Sequence, residues 1–363
     1  MANPERIRSC LSKGLDWDSV LAIAAEHGVQ GMLARRLEEL EYGGVPAETR
    51  EKIQVRMRAH HLFALSLSAE LFRILEDFSK AHLEIIPVKG PVLSQVAYGD
   101  PGVRSFGDLD VLVPHRDIRT AIERMVAMGF TADIAVEVLH SGRIPGEYVF
   151  RRAETGRLVE LHTEKTFRHY PEPMPIEAMM ERRRRVLLDG RPVPALSLED
   201  ELVFDCIHAG KDFWERLMWI SDIAALLAKY PNIDWEKTQA VAREVRVERM
   251  LRVGAQLAAT VFETKLPVQI AKEVREDHGT STLCAEILAW LPYAGHRPPS
   301  VAERAAYRLK LAGGGVSGFQ YLMRLMLSPA QDDWQRQGES QQSWLAQAVR
   351  RPFRLMRKYG SGE

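Results

Sequence analysis

Arg104-Ser-Phe-Gly-Asp-Leu-Asp-Val-Leu-Val113 is the stretch on which the reading of the chain turns. From Asp108 polar and apolar residues alternate and Pro114 closes the run, so the spacing predicts a short β-strand. Side chains of a strand point alternately to its two faces, which sends Asp108 and Asp110 to one side and Leu109 and Val111 to the other. Two carboxylates held this close repel each other unless a proton or a cation intervenes, and a hard divalent ion such as Mg²⁺ or Mn²⁺ answers that need. An Asp-x-Asp pair by itself also fits a solvated strand end, so its neighbours must decide.

Upstream, Leu83-Glu-Ile-Ile-Pro-Val88 is a second apolar run, followed at once by Lys89-Gly90-Pro91, and together they read as strand, tight turn and helix. Gly90 lets a phosphate approach the backbone, the helix that follows offers free N–H groups, and Lys89 adds a positive charge. Arg104 either grips triphosphate oxygens with its planar fork or forms an ion pair with Asp108 or Asp110.

Downstream, Ile118, Ile122, Met125 and Val126 recur at helical spacing as far as Gly129. Strands are expected over residues 131–138, 148–152 and 158–162, the last two joined through Glu154-Thr-Gly156. In Leu158-Val-Glu-Leu-His162 the residues Glu160 and His162 alternate with core residues and so share one face. Glu160 can then complete a carboxylate triad with Asp108 and Asp110, a set suited to two cations about 4 Å apart in phosphoryl transfer. His162 orients a metal-bound carboxylate, contacts an acceptor, or is a hydrogen-bonded structural residue.

The flanks are helical in pattern. Val20, Leu21, Ala24 and Ala25, then Leu62, Leu65, Leu71 and Ile74, predict an N-terminal helical region, and helical periodicity returns from Leu198 to Leu311 with breaks at Tyr230-Pro231 and Gly313-Gly-Gly315. The expected organisation is an α+β chain: a helical region over 1–80, a small mixed α/β core over 81–195 and a large helical region over 196–363. The run at residues 182–185 is read as a solvated helix, with RNA or an acidic peptide as its other possible contact.

Apolar residues make up 46% of the 363 and charged residues 27%, which excludes a disordered chain. Forty-nine basic residues balance 49 acidic ones, so no overall field attracts nucleic acid or an anionic membrane. Cys10, Cys206 and Cys284 are odd in number and lack a C-x-x-C pairing, which fits reduced thiols and a cytoplasmic setting. Neither a signal peptide nor an apolar stretch of roughly 18 residues is present, so no membrane partner is expected.

Taken together, Pro87-Val-Lys-Gly90, Tyr98, the 104–113 stretch and Val159-Glu-Leu-His162 resemble the uncharacterised bacterial nucleotidyltransferase family of the polymerase-β-like superfamily. The resemblance extends to Asp16-Trp17, His208, Trp214, Leu217, Trp219 and Asp222, and to Asp333-Trp334 and Arg351-Pro352. It implies a nucleotidyltransferase sheet core embedded between the two helical regions. It further implies transfer of a nucleoside monophosphate from an NTP such as ATP to an RNA, a protein or peptide, or a small molecule. Asp108, Asp110 and Glu160 would be catalytic and metal-binding, with Lys89, Gly90, Arg104 and His162 around the nucleotide. Lys-Gly-Pro stands where the superfamily has a small-residue turn, and the stretch from Gly90 to Asp108 is longer than usual. His208, Trp214, Trp219 and Asp222 read as packing residues. The other reading is a catalytically silent module that keeps the fold and binds a partner protein.

Overall fold

The alternation at Asp108 is realised as strand β2 (Asp108–Leu112) of a mixed five-stranded sheet. The structure, a computed structural model, describes residues 4–132, 146–163, 175–293 and 299–313, with further positions at 134, 136, 139, 318–320, 323 and 353. Strand β1 (Ile86–Val88) lies antiparallel to β2 on one side. On the other side β5 (Leu158–His162) runs parallel to β2, followed by β4 (Glu147–Arg152) and β3 (Phe130–Ala132), both antiparallel to their inner neighbours.

Helices α1 (Pro4–Leu11), α2 (Trp17–Glu26), α3 (Gln30–Glu39) and α4 (Ala47–Lys80) precede the sheet. Asp16 caps α2 by accepting from the Ser19 N–H and hydroxyl, which accounts for the Asp16-Trp17 pair at the helix start. Leu67, Leu71, Ile74 and Phe78 of α4 bury themselves against Leu109, Val111, Val159 and Leu161. Helices α5 (Gly90–Tyr98) and α6 (Ile118–Ala127) complete that layer.

The opposite face of the sheet gives Ile86, Val88 and Leu112 to a second core built by the C-terminal helices. These are α7 (Ile176–Arg182), α8 (Leu198–Lys211), α9 (Leu217–Lys229), α10 (Trp235–Glu244), α11 (Glu248–Phe262), α13 (His278–Trp290) and α14 (Val301–Leu311), while α12 (Val268–Glu276) packs Ile270 and Val274 with Ala255 in a small cluster of their own. Each fully buried aliphatic or aromatic side chain here contributes roughly 1.5–3 kcal/mol. Trp214 is fully buried, and Gly254 on α11 makes room for it: a Cβ there would stand 2.5 Å from Cys206 Sγ and 3.1 Å from the Trp214 ring. The α+β class, with a small mixed sheet between helical segments, is therefore as expected.

Two expectations are revised. Residues 182–185 do not form one helix: Arg182 ends α7, and Arg184 opens a hairpin of β6 (Arg184–Leu188) and β7 (Arg191–Ala195). Asp189 and Gly190 turn that hairpin with φ of 47° and 77°, the left-handed pair that an Asp-Gly turn supplies. Three of the four arginines at 182–185 are engaged within the chain, since Arg182 holds Asp200 at 2.7 Å, Arg183 holds Glu84, and Arg184 Nε donates to the Leu196 carbonyl at 2.9 Å, while Arg185 is exposed. The strand expected over 131–138 begins as β3 at Phe130, and most of its remainder lies outside the described residues. Gly314-Gly315, Asp333-Trp334, Arg351-Pro352 and residues 360–363 lie outside them as well. Cys10, Cys206 and Cys284 are free thiols, and among the described residues no helix is long and apolar enough to cross a membrane.

Candidate active site

The site begins where β1 ends. Lys89 has φ 54° and ψ −145° and Gly90 has φ 46°, so the chain turns through two successive residues of positive φ before α5 starts. Glycine adopts such angles freely, whereas at Lys89 they cost about 1–3 kcal/mol. The ladder to β2 on one side and the Leu93 N–H to Lys89 carbonyl bond of 2.9 Å on the other hold the turn in place. The turn delivers Lys89 Nζ to 3.0 Å from Asp110 Oδ1.

The parallel pairing of β2 and β5 sets Asp110 directly across from Glu160, with Asp108 opposite Leu158 and Leu112 opposite His162. Side chains at paired positions project to the same face, so Asp108, Asp110, Glu160 and His162 all leave the sheet on the side of the C-terminal helices. His162 Nε2 stands 2.8 Å from Asp110 Oδ1 and 3.5 Å from Glu160 Oε2. Asp110, Glu160 and His162 each bring a ligand atom within 4.8 Å of the others.

Charges in this cluster are unevenly compensated. Burial alone would raise the Asp110 pKa, yet the Lys89 ammonium and the His162 ring hold its carboxyl far below the usual range. Burial likewise opposes charge on His162, but hydrogen bonds to Asp110 and Glu160 push its pKa up to about 9. Asp108 has no such partner among the described residues: burial first, then repulsion from Asp110 and Glu160, pushes it up to about 6. A buried carboxyl with excess negative charge beside it fits a divalent cation.

Arg104 is the residue whose placement differs most from expectation. It is 3% exposed and its Nε donates to Asp222 Oδ2 at 2.9 Å, so its ion pair is with neither Asp108 nor Asp110. The Tyr98 hydroxyl donates to the other oxygen of Asp222 at 2.8 Å, and Ser94 Oγ accepts from the Arg104 N–H at 3.1 Å. Tyr98 and Asp222 are thereby joined to the site as the clamp that fixes the loop leading into β2. Next to this clamp, burial pushes Glu201 up to about 7 and Asp205 well above the carboxylate range.

Asp108, Asp110, Lys89, Gly90 and Arg104 line one side of a cavity of about 400 Å³. Its other side is the corner between α8 and α9, with His208, Asp212, Glu215, Arg216 and Trp219, and with Arg304 of α14 beside them. Phe213 and Trp214 turn that corner at φ 60° and 56°, and Trp290 Nε1 donates to the Phe213 carbonyl at 3.1 Å. Both rings are buried, so anchoring in the core holds two left-handed residues that would otherwise relax. His208 stands edge-on to Trp219 with ring centroids 5.4 Å apart, and its pKa is held well below the usual value by burial and by Lys89 and Lys211. The reading of Trp214 as core holds. Trp219 also packs against that core, and it and His208 line the cavity as well, which nothing in the local pattern distinguishes from packing alone.

Residues 13–263 match the family model described as uncharacterised nucleotidyltransferase. No curated protein matches the chain. Among solved structures, the lincosamide antibiotic adenylyltransferase LnuA with lincomycin bound is similar at 17% identity and a TM-score of 0.32, over 44% of this chain and 94% of that one. ANT(2")-Ia in complex with adenylyl-2"-tobramycin is similar at 13% identity and 0.37, over 50% and 98%. An antigenic nucleotidyltransferase-like protein from Paracoccidioides brasiliensis is similar at 15% identity and 0.30, over 57% and 96%.

Proposed function

The chain belongs to the uncharacterised nucleotidyltransferase family, and from that premise we propose that it transfers a nucleoside monophosphate from an NTP to a hydroxyl-bearing acceptor. The observation that carries this reading is the register of β2 and β5, which places Asp110 across from Glu160 on the face that also bears Asp108 and His162. Asp108, Asp110 and Glu160 are the residues to hold Mg²⁺ or Mn²⁺, which when bound supplies electrophilic activation of the α-phosphate and neutralises the leaving pyrophosphate.

The chain's own groups divide the remaining work. Lys89 and the N-terminus of α5 at Gly90 face the cavity and suit the phosphates. The acceptor oxygen bonds to the α-phosphorus as the α–β anhydride P–O bond breaks, pyrophosphate leaves with the electron pair, and Glu160 takes the hydroxyl proton. Arg104 acts through the clamp on Asp222, positioning the loop that leads into β2 and so Asp108 at its start. The acceptor lies against His208 and Trp219.

That wall mixes Asp212 and Glu215 with Arg216 and Arg304, and the arginines of 182–184 are occupied within the fold. Both features favour a small molecule or a single side chain over a long RNA backbone, which needs a continuous basic track.

Incubation with each α-labelled NTP, Mg²⁺ or Mn²⁺ and a fractionated cell extract tests the proposal. Label should enter an acceptor with release of pyrophosphate, and Asp110→Ala should abolish it; undiminished transfer by that variant refutes the assignment. A catalytically silent interaction protein would show no cation-dependent nucleotide binding by calorimetry.

A further inference from the structure

The three groups nearest one another in the cluster are not the three carboxylates. Asp108 pairs with Leu158 at the start of the β2–β5 ladder and lines the cavity, whereas Asp110, Glu160 and His162 lie together further along it. Resting on the nucleotidyltransferase reading, we propose that His162 is itself a metal ligand. The inner cation is then bound by one imidazole nitrogen with the Asp110 and Glu160 oxygens, and a transition-metal ion such as Mn²⁺ is selected over Mg²⁺.

Distances support a shared ion. Ligand atoms about 2.1 Å from one cation stand about 3.0 Å apart at a right angle and about 3.4 Å apart at the tetrahedral angle. His162 Nε2 is 2.8 Å from Asp110 Oδ1 and 3.5 Å from Glu160 Oε2, and ligand atoms of the three residues all lie within 4.8 Å of one another, a spread that one ion can span. Burial argues for the same preference. His162 is 3% exposed and, unlike Asp110, does not line the cavity, which limits the room on its side of the cluster for the several waters that Mg²⁺ retains when it binds protein. Imidazole nitrogen, in turn, is a ligand that first-row transition ions accept far more readily than Mg²⁺ does.

The two ring nitrogens of His162 have different surroundings. Glu147 stands across the β4–β5 ladder from His162 and its charge acts on the ring, while His162 Nδ1 is buried and makes no hydrogen bond among the described residues, which leaves Nε2 as the nitrogen turned to the two carboxylates. Lys89 already supplies Asp110 with one positive charge at 3.0 Å, so the incoming ion must gain from every ligand to compete with that contact. Asp108 is left at the cavity side of the cluster, outside this set, for a second ion carried in with the triphosphate.

The test uses the full chain with Mn²⁺ and Mg²⁺ as probes, with and without a non-hydrolysable ATP analogue. Pulsed electron paramagnetic resonance of the Mn²⁺ complex should show coupling to a directly bound imidazole ¹⁴N. Equilibrium dialysis should give Mn²⁺ an affinity at least about tenfold above that of Mg²⁺. His162→Gln, which preserves a hydrogen bond to Asp110 but removes the nitrogen donor, should lower Mn²⁺ affinity by about 10–100-fold and bring the two ions level. Asp108→Asn should leave the nitrogen coupling in place. Absence of that coupling in the wild-type protein overturns the inference whether or not His162→Gln folds, and so does an equal loss of Mn²⁺ and Mg²⁺ affinity in a folded variant. In either case, cation binding that still depends on Asp110 leaves the nucleotidyltransferase reading standing. Failure of both ions to bind even with nucleotide present removes that reading and this inference together.

Discussion

The two faces of β2 obey different rules. On one, Leu109 and Val111 are buried against α4 and β5 with apolar neighbours on every side. On the other, Asp108 and Asp110 stand two positions apart along the same backbone, and of the pair Asp110 alone has close counter-charges among the described residues, in Lys89 and His162. The first face minimises its free energy in the chain as it stands. The second is stabilised fully only by something the chain does not supply, which is the usual mark of a site built for a ligand.

Removing the Asp110 charge should produce the largest effect on this contrast. Asp110→Asn is expected to reduce label transfer by at least about 10³-fold, equivalent to about 4 kcal/mol of transition-state stabilisation. The loss should appear in turnover per folded molecule, measured beside a circular-dichroism melt. Turnover at the wild-type rate in that variant would mean that the polar face is structural after all.

The apolar face should fail in the opposite manner. Leu161→Ala leaves a cavity among Val111, Val159 and the α4 side chains, at a cost of about 2–5 kcal/mol. Chemical denaturation should report that loss, while cation binding per folded molecule stays unchanged. A fall in cation affinity at full folding would show that the two faces are coupled through the strand.

Asp108 yields a prediction about pH. Its folded pKa of about 6 lies above its ordinary value of 3.8, so ionising it in the fold is unfavourable. That cost is absent below pH 3.8, grows between 3.8 and 6, and is complete above pH 6. Asp108→Asn should therefore stabilise the cation-free protein by about 1–3 kcal/mol at pH 8, with the gain shrinking as pH falls toward 4. Added Mn²⁺ should raise the melting temperature of the wild-type protein and narrow the gap to the variant. A variant no more stable than wild type at pH 8 would place the repulsion elsewhere.

How much of this contrast the sequence displays depends on the range of the interaction. The strand at 108–112, the face shared by Glu160 and His162, and the turn at Lys89-Gly90 are written in neighbouring residues, because period-two alternation and turn chemistry are local. The parallel register that sets Asp110 against Glu160 is not local; it emerges when Val159 and Leu161 of β5 are buried in the core beside Leu109 and Val111 of β2. Arg104 shows the limit plainly. The sequence offers it triphosphate oxygens or an ion pair with Asp108 or Asp110, yet a carboxylate of α9 in the second core takes the guanidinium because both are buried together there. The Asp189-Gly190 turn was legible in principle, but the four arginines before it read as a helix and hid the strand that Arg184 begins.

The cavity wall contributed by the C-terminal helices is the least legible part, and it carries the smallest expected effect. His208 lies on a helix whose other residues are mostly core, and it reaches the cavity only because Phe213 and Trp214 turn the chain sharply just after α8. A neutral imidazole beside Trp219 can accept a hydrogen bond from an acceptor hydroxyl but has no part in holding the triphosphate. His208→Gln should accordingly raise the acceptor KM or lower turnover by about tenfold, about 1.4 kcal/mol, with nucleotide binding by calorimetry unchanged. If nucleotide affinity falls by the same factor instead, the wall formed by α8 and α9 grips the donor, and the acceptor must enter from the side of β5.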